Sequence, residues 1–188
     1  MDAGIDGARR LRAAQALERL VVDVPDFPEP GVVFKDIAPM LADHDAFTLV
    51  IEALADAGRD DVGAPVVDKV VGMEARGFIL AAPVALALGR GFVPVRKVGK
   101  LPRATRSVSY ALEYGEATLE LQVDAIEEGE RVLLIDDVLA TGGTAKATEQ
   151  LVRDCGGEVI GMAVLIELGF LAGRETLGDL PVSSILTV

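Results

Sequence analysis

Tryptophan is absent from this chain of 188 residues, and aromatic residues make up only 4% of it. A hydrophobic core must therefore be aliphatic, which is feasible because hydrophobic residues make up 51% of the sequence. The single cysteine, Cys155, has no partner for an intramolecular disulfide, so a disulfide-stabilised scaffold is excluded. With His44 as the only histidine, a zinc site of cysteine and histidine ligands is excluded as well. We expect His44 at the surface and Cys155 on a packed helix face.

Positive charge is also scarce, because 18 Lys and Arg residues stand against 30 Asp and Glu residues and leave a net charge of −12. Proteins that bind nucleic acid non-specifically normally present a basic surface, so we expect no nucleic-acid partner. The longest apolar run, residues 78–88, contains Pro83 and is too short to span a bilayer. The first residues lack the apolar segment of a secretory signal. We therefore expect a cytoplasmic protein without a membrane partner.

The rest of the sequence alternates between helical and strand patterns. The length fits one domain, residues 1–188. Helical periodicity predicts helices at 8–20, 46–57, 77–88 and 144–155, and a proline- and glycine-rich turn is expected at 24–31. Apolar and alternating runs predict strands at 66–72, 92–98, 107–114, 117–124, 131–136 and 158–168. This order favours an α/β fold with a largely parallel sheet, whose ligands bind beyond the carboxyl ends of the strands.

The loop after the predicted strand 131–136 carries the strongest chemical signal. Asp136 and Asp137 are adjacent carboxylates at the end of a buried strand, where they repel each other and resist desolvation. A partner such as sugar hydroxyls or a cation would stabilise them there. The following residues are small or hydroxylated and lead into the positive end of a predicted helix: Ala140, Thr141, Gly142, Gly143 and Thr144. Together these features predict a site for a phosphorylated sugar.

Two common nucleotide-binding motifs do not account for this loop. The Gly-x4-Gly-Lys-[Ser/Thr] spacing of a P-loop is missing, and no Gly-x-Gly-x-x-Gly follows a strand. The alternative interpretation is an ordinary strand–turn–helix, in which Asp136 and Asp137 are solvated and a threonine caps the helix.

Four segments in unbroken order resemble one enzyme family. Residues 133–144 resemble the phosphoribosyl-pyrophosphate motif of type I phosphoribosyltransferases. Three further segments narrow the resemblance to the adenine phosphoribosyltransferase family. They are residues 24–36, residues 72–78, and residues 96–102 taken together with 112–115. The resemblance begins near Leu17 and continues to the end of the chain.

This resemblance implies a fold and a reaction. The fold is a mostly parallel central sheet flanked by helices, with a small N-terminal hood within residues 8–40 and a flexible flap hairpin at 96–115. The reaction transfers the phosphoribosyl group of 5-phosphoribosyl 1-pyrophosphate to N9 of adenine and gives AMP and pyrophosphate, as in purine salvage. The resemblance further implies Mg²⁺, held through the substrate near Asp136 and Asp137, and a homodimer.

The resemblance also implies roles for the anion-binding residues. Asp136 and Asp137 hold the ribose hydroxyls, and the loop at 140–144 holds the 5′-phosphate. Arg76 is a catalytic residue in a short pyrophosphate loop, where its guanidinium can bind a phosphate with two hydrogen bonds. Alternatively, Arg76 is a surface arginine ahead of a helix.

The implied flap contributes a second group of residues. Lys100 is assigned to catalysis, Glu113 exchanges the N9 proton when the flap closes, and Tyr114 belongs to the same flap. Local positive charge is expected to attract the polyanionic substrate and comes from five residues: Arg96, Lys97, Lys100, Arg103 and Arg106. The alternative is a solvated basic hairpin in which Glu113 is an exposed strand residue.

Recognition of adenine is implied for Val33, Phe34, Lys35 and Leu168. Backbone groups around Val33 and Lys35 read the base, while Phe34 and Leu168 pack on its two sides. Adenine offers a donor at N6 and an acceptor at N1, and a 6-oxopurine reverses both. Ala140 favours adenine as the substrate, because hypoxanthine-type relatives carry a carboxylate at this position. Phe34 could instead be part of the core.

Two other functions are consistent with a phosphoribosyl pyrophosphate site. One is a relative that uses xanthine or another base, which Ala140 and the Val-Val-Phe segment at 32–34 disfavour. The other is a regulatory protein that binds phosphoribosyl pyrophosphate and senses purines without turnover. The presence of Arg76, Lys100 and Glu113 favours the enzyme.

Overall fold

The computed structural model describes residues 7–111 and 116–188. Its helices are α1 (Gly7–Leu20), α2 (Ala38–Ala42), α3 (His44–Ala55), α4 (Arg76–Leu88), α5 (Gly143–Asp154) and α6 (Gly173–Leu177). Its strands are β1 (Val22–Pro25), β2 (Val33–Asp36), β3 (Lys69–Met73), β4 (Gly91–Lys97), β5 (Thr105–Ala111), β6 (Glu116–Gln122), β7 (Arg131–Leu139), β8 (Glu158–Glu167) and β9 (Val182–Thr187). Within these two ranges, no helix is long and apolar enough to cross a membrane.

Seven of the strands form the central sheet, in the order β5-β6-β4-β3-β7-β8-β9. The pairs from β4 through β3, β7 and β8 to β9 are parallel. The β5–β6 hairpin joins the edge of β4 in antiparallel pairing. This arrangement confirms the predicted α/β fold with a mostly parallel sheet flanked by helices. The carboxyl ends of β3, β7 and β8 meet at one edge, where parallel sheets bind ligands.

The sheet is covered by helices on both faces. On one face, α3 and α4 pack buried side chains such as Leu54 and Leu80 against Ile135 of β7. On the other face, Leu151 of α5 packs with Leu134 of the same strand. Because successive side chains of a strand point to opposite faces, β7 supplies both layers and is apolar along most of its length. The core is aliphatic, as the composition requires.

A separate two-stranded ladder lies beside this sheet. Strands β1 and β2 pair antiparallel, with Val24 opposite Phe34 and Pro25 opposite Val33. The turn is predicted at 24–31, but its first two residues belong to β1, and the connection between the strands begins at Asp26 and includes a cis peptide bond between Phe27 and Pro28. This ladder occupies the segment that we predict to be the hood.

Most predicted elements are present, with differences at their ends. Helices α2 and α6 were not predicted, because five residues are too few for a helical period to be visible. Strand β7 continues to Leu139 instead of ending at residue 136, since it pairs with β8 as far as Glu167. Strand β3 begins at Lys69, three residues later than expected. His44 is exposed and Cys155 is partly buried against the core, as expected.

Candidate active site

A cleft of about 330 Å³ opens at the sheet edge where β3, β7 and β8 end. Its walls come from the segments that follow these strands and from β2. Many of the residues predicted for the site line it: Val33, Phe34, Lys35, Arg76, Asp136, Asp137, Ala140, Thr144 and Leu168. Glu113 and Tyr114 lie outside the described residues.

The loop at residues 140–144, which is predicted to hold a phosphate and is called the phosphate loop below, turns from the end of β7 into α5. Gly142 has φ 84°, a left-handed conformation that favours glycine. A Cβ at this position would lie 2.7 Å from the carbonyl oxygen of Gly173. The hydroxyl of Thr176 donates a hydrogen bond of 2.8 Å to the carbonyl of Thr141. The loop is therefore backed by α6, while the first turn of α5 presents its amides at the cleft.

The acidic pair lies at the floor of the cleft. Asp137 is 5% exposed, and its backbone N–H donates to Oδ1 of Asp136 at 2.9 Å. Burial, and then the charge of Asp137, raises the pKa of Asp136 well above its ordinary value. Oδ2 of Asp137 lies 2.9 Å from Nε of Arg76, yet accepts no hydrogen bond of good geometry from the described residues. This buried oxygen could accept a hydrogen bond from a ligand hydroxyl.

Arg76 is the first residue of α4 and follows a cis peptide bond between Glu74 and Ala75. Its guanidinium carbon lies 4.6 Å from the centre of the Phe34 ring, which is a cation–π contact. Nη1 of Arg76 is buried and has no hydrogen-bond partner among residues 7–111 and 116–188. The side chain therefore spans the cleft from β2 to Asp137 and keeps a donor for an anion.

Glu74 connects the loop after β3 to the last residues of β4 and to Lys100 beyond it. Its carboxylate accepts hydrogen bonds from the backbone N–H of Lys97 at 3.0 Å and from Nε of Arg96 at 3.3 Å, and it pairs closely with Nζ of Lys100. The hydrogen bond from Lys100 is the largest cause of a lowered pKa for Glu74. Sequence reasoning selected these cations but missed Glu74. The sequence did contain a signal for Glu74, because it is an acidic residue placed between a predicted buried strand and Arg76.

Two cations of the predicted flap cluster lie elsewhere. Arg103 pairs with Asp124, and Arg106 lies close enough to Cys155 to interact with its thiol. Cys155 follows the last residue of α5, whereas the cleft is at the first residue of this helix. A helix of this length is roughly 18 Å long, so Arg106 is remote from the cleft. The structure therefore brings Arg96 and Lys100, but not these two arginines, to the loop after β3.

The hairpin β5–β6 touches the phosphate loop through Tyr110. Its hydroxyl and that of Thr144 are 3.0 Å apart. A Cβ on Gly143 would lie 3.3 Å from the Tyr110 ring, so the ring covers the loop directly. Sequence reasoning did not select Tyr110, because one tyrosine in an alternating strand has no distinguishing pattern.

The wall formed by β2 contains the residues predicted to bind the base. The ring of Phe34 meets that of Phe27 edge-on, with centroids 5.0 Å apart. Nζ of Lys35 pairs with Asp23 on β1 at 2.7 Å. The side chain of Lys35 is therefore engaged by the neighbouring strand. Leu168 follows β8 and lines the same cleft.

Comparison with known proteins identifies relatives over almost the whole chain. A sequence profile for the phosphoribosyl transferase domain matches residues 39–178. The adenine phosphoribosyltransferase of Nocardioides sp. is 69% identical over 169 residues, which are 90% of this chain and 91% of that protein. The adenine phosphoribosyltransferase of Frankia casuarinae is 56% identical over 187 residues, which are 100% of this chain and 97% of that protein.

Solved structures have the same fold. The adenine phosphoribosyltransferase of Rhodothermus marinus superposes with a TM-score of 0.88 at 51% identity, covering 95% of this chain and 99% of that one. The enzyme of Saccharomyces cerevisiae, solved with an imino-altritol bisphosphate and adenine, has a TM-score of 0.88 at 38% identity and covers 94% and 99%.

Proposed function

The chain belongs to the phosphoribosyltransferase family, among its adenine phosphoribosyltransferases, and we propose on this basis that it joins adenine to 5-phosphoribosyl 1-pyrophosphate. The products are AMP and pyrophosphate, and the reaction is a pentosyl transfer that salvages a purine. One observation carries the proposal: a single cleft combines the aromatic wall of Phe34, the adjacent carboxylates of half-buried Asp136 and buried Asp137, and a loop that starts a helix.

The chemistry of the transfer explains this combination. The bond between ribose C1 and the pyrophosphate oxygen breaks, pyrophosphate leaves with the electron pair, and adenine N9 forms the new bond. Positive charge develops on the ribose and negative charge on the leaving group, so a catalyst gains by stabilising both. Carboxylates of Asp136 and Asp137 beside the ribose would oppose the first charge. Arg76 and Lys100 would oppose the second.

A flap of residues 96–115 would complete the site. N9 of adenine must lose its proton, or shift it through N7, and we assign the proton exchange to Glu113. Tyr114, Arg96 and Lys97 would close over the pyrophosphate and exclude water, which could otherwise hydrolyse the activated sugar. The contact between Tyr110 and Thr144 supports this assignment, because it shows that the same hairpin already reaches the phosphate loop.

Mg²⁺ would be held largely by the substrate. The described residues include no group of three or more His, Cys, Asp or Glu side chains arranged to bind a metal ion. Mg²⁺ commonly binds one or two carboxylates together with substrate phosphates and water, and the carboxylates of Asp136 and Asp137 suit that role. The ion would neutralise charge on the pyrophosphate.

Adenine would be selected by the backbone of β2. The carbonyl and amide groups around Val33 and Lys35 can match a donor at N6 and an acceptor at N1, while Phe34 and Leu168 pack against the ring. Ala140 places no carboxylate in the phosphate loop to bind an oxopurine. This assignment disfavours xanthine and hypoxanthine as substrates.

A homodimer would cover an exposed apolar stripe on α4. Ile79 is 45% exposed and Leu86 is 81% exposed. They are seven residues apart and so lie on one side of the helix. We expect light scattering to give the mass of a dimer and Leu86→Lys to weaken it. A monomer at micromolar concentration would contradict the assignment.

We also assign the protein to the cytoplasm, without a nucleic-acid or membrane partner. The net charge of −12 opposes binding to nucleic acid, and a polyanionic substrate would be costly to move through a bilayer. Cell fractionation would test the location.

The decisive experiment measures pyrophosphate release from phosphoribosyl pyrophosphate and Mg²⁺ with adenine, hypoxanthine, guanine or xanthine. We expect release with adenine alone. Release with an oxopurine alone would overturn the base assignment and leave the phosphoribosyl site. Tight binding without release for any base would indicate a sensor of phosphoribosyl pyrophosphate.

A further inference from the structure

We propose that Arg174 is a positioning residue, which holds α6 against the phosphate loop and so fixes the geometry of 5′-phosphate binding. The inference rests on the proposed function only for the identity of the ligand. Neither Arg174 nor any other residue of α6 lines the cleft described above.

Arg174 is anchored by a network that joins the last residue of β8 to the first half of β9. Its Nε and Nη2 donate to the two carboxylate oxygens of Glu167 at 2.6 and 2.7 Å. Nη1 donates to the carbonyl of Val182 at 2.7 Å. Ser184 completes the network, because its hydroxyl donates to Glu167 at 2.9 Å. Glu167 is 7% exposed and the side chain of Arg174 is 40% exposed, so this anchor is a partly buried, two-pronged contact between the short helix and the sheet.

The residues on either side of Arg174 meet the phosphate loop. A Cβ on Gly173 would lie 2.2 Å from the carbonyl oxygen of Ala140, so the two backbones are in direct contact. Thr176 donates its hydroxyl hydrogen bond to Thr141. Helix α6 has only five residues and cannot be stable on its own, so its position depends on its contacts with the rest of the fold, which include this anchor and the burial of Leu177 in the core.

The same anchor also fixes the base-facing wall. Glu167 is the last residue of β8, and Leu168 follows it directly. The N–H of Leu168 donates to the carbonyl of Leu139 at 2.9 Å, just before the phosphate loop begins. Arg174 therefore links the loop for the phosphate and the residue that packs on the base.

The two contacts predict different kinetic effects. Thr176→Val removes one hydrogen bond to the loop from an exposed residue, and we expect about a fivefold higher KM for phosphoribosyl pyrophosphate with an unchanged KM for adenine. Arg174→Gln loosens the whole helix, and we expect both KM values to rise by about tenfold or more. Arg174→Lys should recover part of that loss, because it restores the charge but not the two-pronged geometry.

Glu175→Gln is the matched control, since this exposed residue lies on the same helix between the two test positions. It should leave both KM values unchanged. Thermal unfolding of each variant separates a local effect from loss of the fold. If Arg174→Gln does not fold, Thr176→Val and Arg174→Lys test the same contact.

Failure of the inference can be distinguished from failure of the proposed function. If the wild-type protein does not turn over adenine, calorimetry with phosphoribosyl pyrophosphate alone compares the wild type with Thr176→Val. Weaker binding by the variant supports the positioning role even then. Folded Thr176→Val and Arg174→Lys variants that bind phosphoribosyl pyrophosphate as tightly as the wild type would overturn it.

Discussion

The side of the cleft around Asp137 and the phosphate loop is held by backbone contacts and buried groups, whereas the side around Glu74 is held by ion pairs with partly exposed cations. Gly142 meets the carbonyl of Gly173, and Asp137 is 5% exposed. By contrast, the side chain of Lys100 is 46% exposed where it pairs with Glu74. Glu74 is only 10% exposed, but it keeps Arg96 and the backbone N–H of Lys97 when Lys100 leaves, so the pair with Lys100 can exchange at little cost in stability. The comparison indicates that the proposed site for the sugar phosphate is rigid and that the proposed site for the leaving pyrophosphate is exchangeable.

The largest expected effect is on turnover and comes from changing Asp137, the buried carboxylate on the rigid side of the cleft. Asp137→Asn keeps the size of the side chain but removes the charge beside the reacting ribose. We expect kcat for AMP formation to fall by about 100-fold or more, the usual cost of losing one preorganised electrostatic group. The measurement is steady-state turnover at saturating substrates, with the exposed Asp61→Asn as control. Turnover close to the wild type would refute a role for Asp137 in catalysis.

The next effect concerns stability on the rigid side and depends on pH. The hydrogen bonds from Arg174, opposed by burial, lower the pKa of Glu167 below its ordinary value of 4.5. A lowered carboxylate pKa stabilises the fold above about pH 4.5, and the contribution disappears as the pH falls through the lowered pKa.

Arg174→Gln leaves that buried carboxylate without its cation. We expect about 2 kcal/mol lower free energy of unfolding near pH 7, a discounted value because the guanidinium is partly exposed. The deficit should shrink as the pH falls below about 4.5, since the neutral acid no longer needs the cation. Urea unfolding at several pH values tests this. A deficit that stays constant with pH would show that the charge of Glu167 is not responsible.

On the exchangeable side, Lys100→Gln should affect function without affecting stability. We expect kcat/KM for phosphoribosyl pyrophosphate to fall about tenfold, because a cation for the pyrophosphate is lost, and the melting temperature to stay within about a degree. The kcat/KM of the wild type should also decrease with added salt more steeply than the kcat/KM of the variant. Arg103→Gln is the matched control, because Arg103 pairs with Asp124 instead. A large drop in melting temperature for Lys100→Gln would remove the distinction between the two sides.

The smallest expected effect is on the free energy of unfolding and concerns Ala172, the residue before α6 on the rigid side. Ala172 has φ 53°, a left-handed conformation that costs alanine about 1 kcal/mol. Ala172→Gly should therefore stabilise the protein by about 0.5 kcal/mol, after the greater entropy of the unfolded glycine is subtracted. Ala14→Gly, in the middle of α1, should instead destabilise by about 1 kcal/mol. Urea unfolding of both variants measures the contrast, and destabilisation by Ala172→Gly would contradict it.

The sequence predicted the rigid side better than the exchangeable one. Strand β7, the phosphate loop and α5 form one continuous segment, so local pattern and chemistry coincide there. The contacts of Arg174 were invisible, because Val182 and Ser184 belong to a strand that the sequence does not relate to α6. Arg103 and Arg106 were grouped with Lys100 by closeness in sequence, yet the hairpin places them on other surfaces. Roles for Glu113 and Tyr114 remain predictions.

The close approach of Gly142 to Gly173 limits how this enzyme could be redesigned. Neither position tolerates a side chain, because each added Cβ would meet a backbone carbonyl within 2.7 Å. Enlarging the loop to accept a bulkier sugar phosphate would therefore require moving α6. This helix is tied through Arg174 to Glu167, which directly precedes Leu168. An attempt to broaden specificity for the sugar would alter the choice of base at the same time, so a library should vary the loop, α6 and position 168 together.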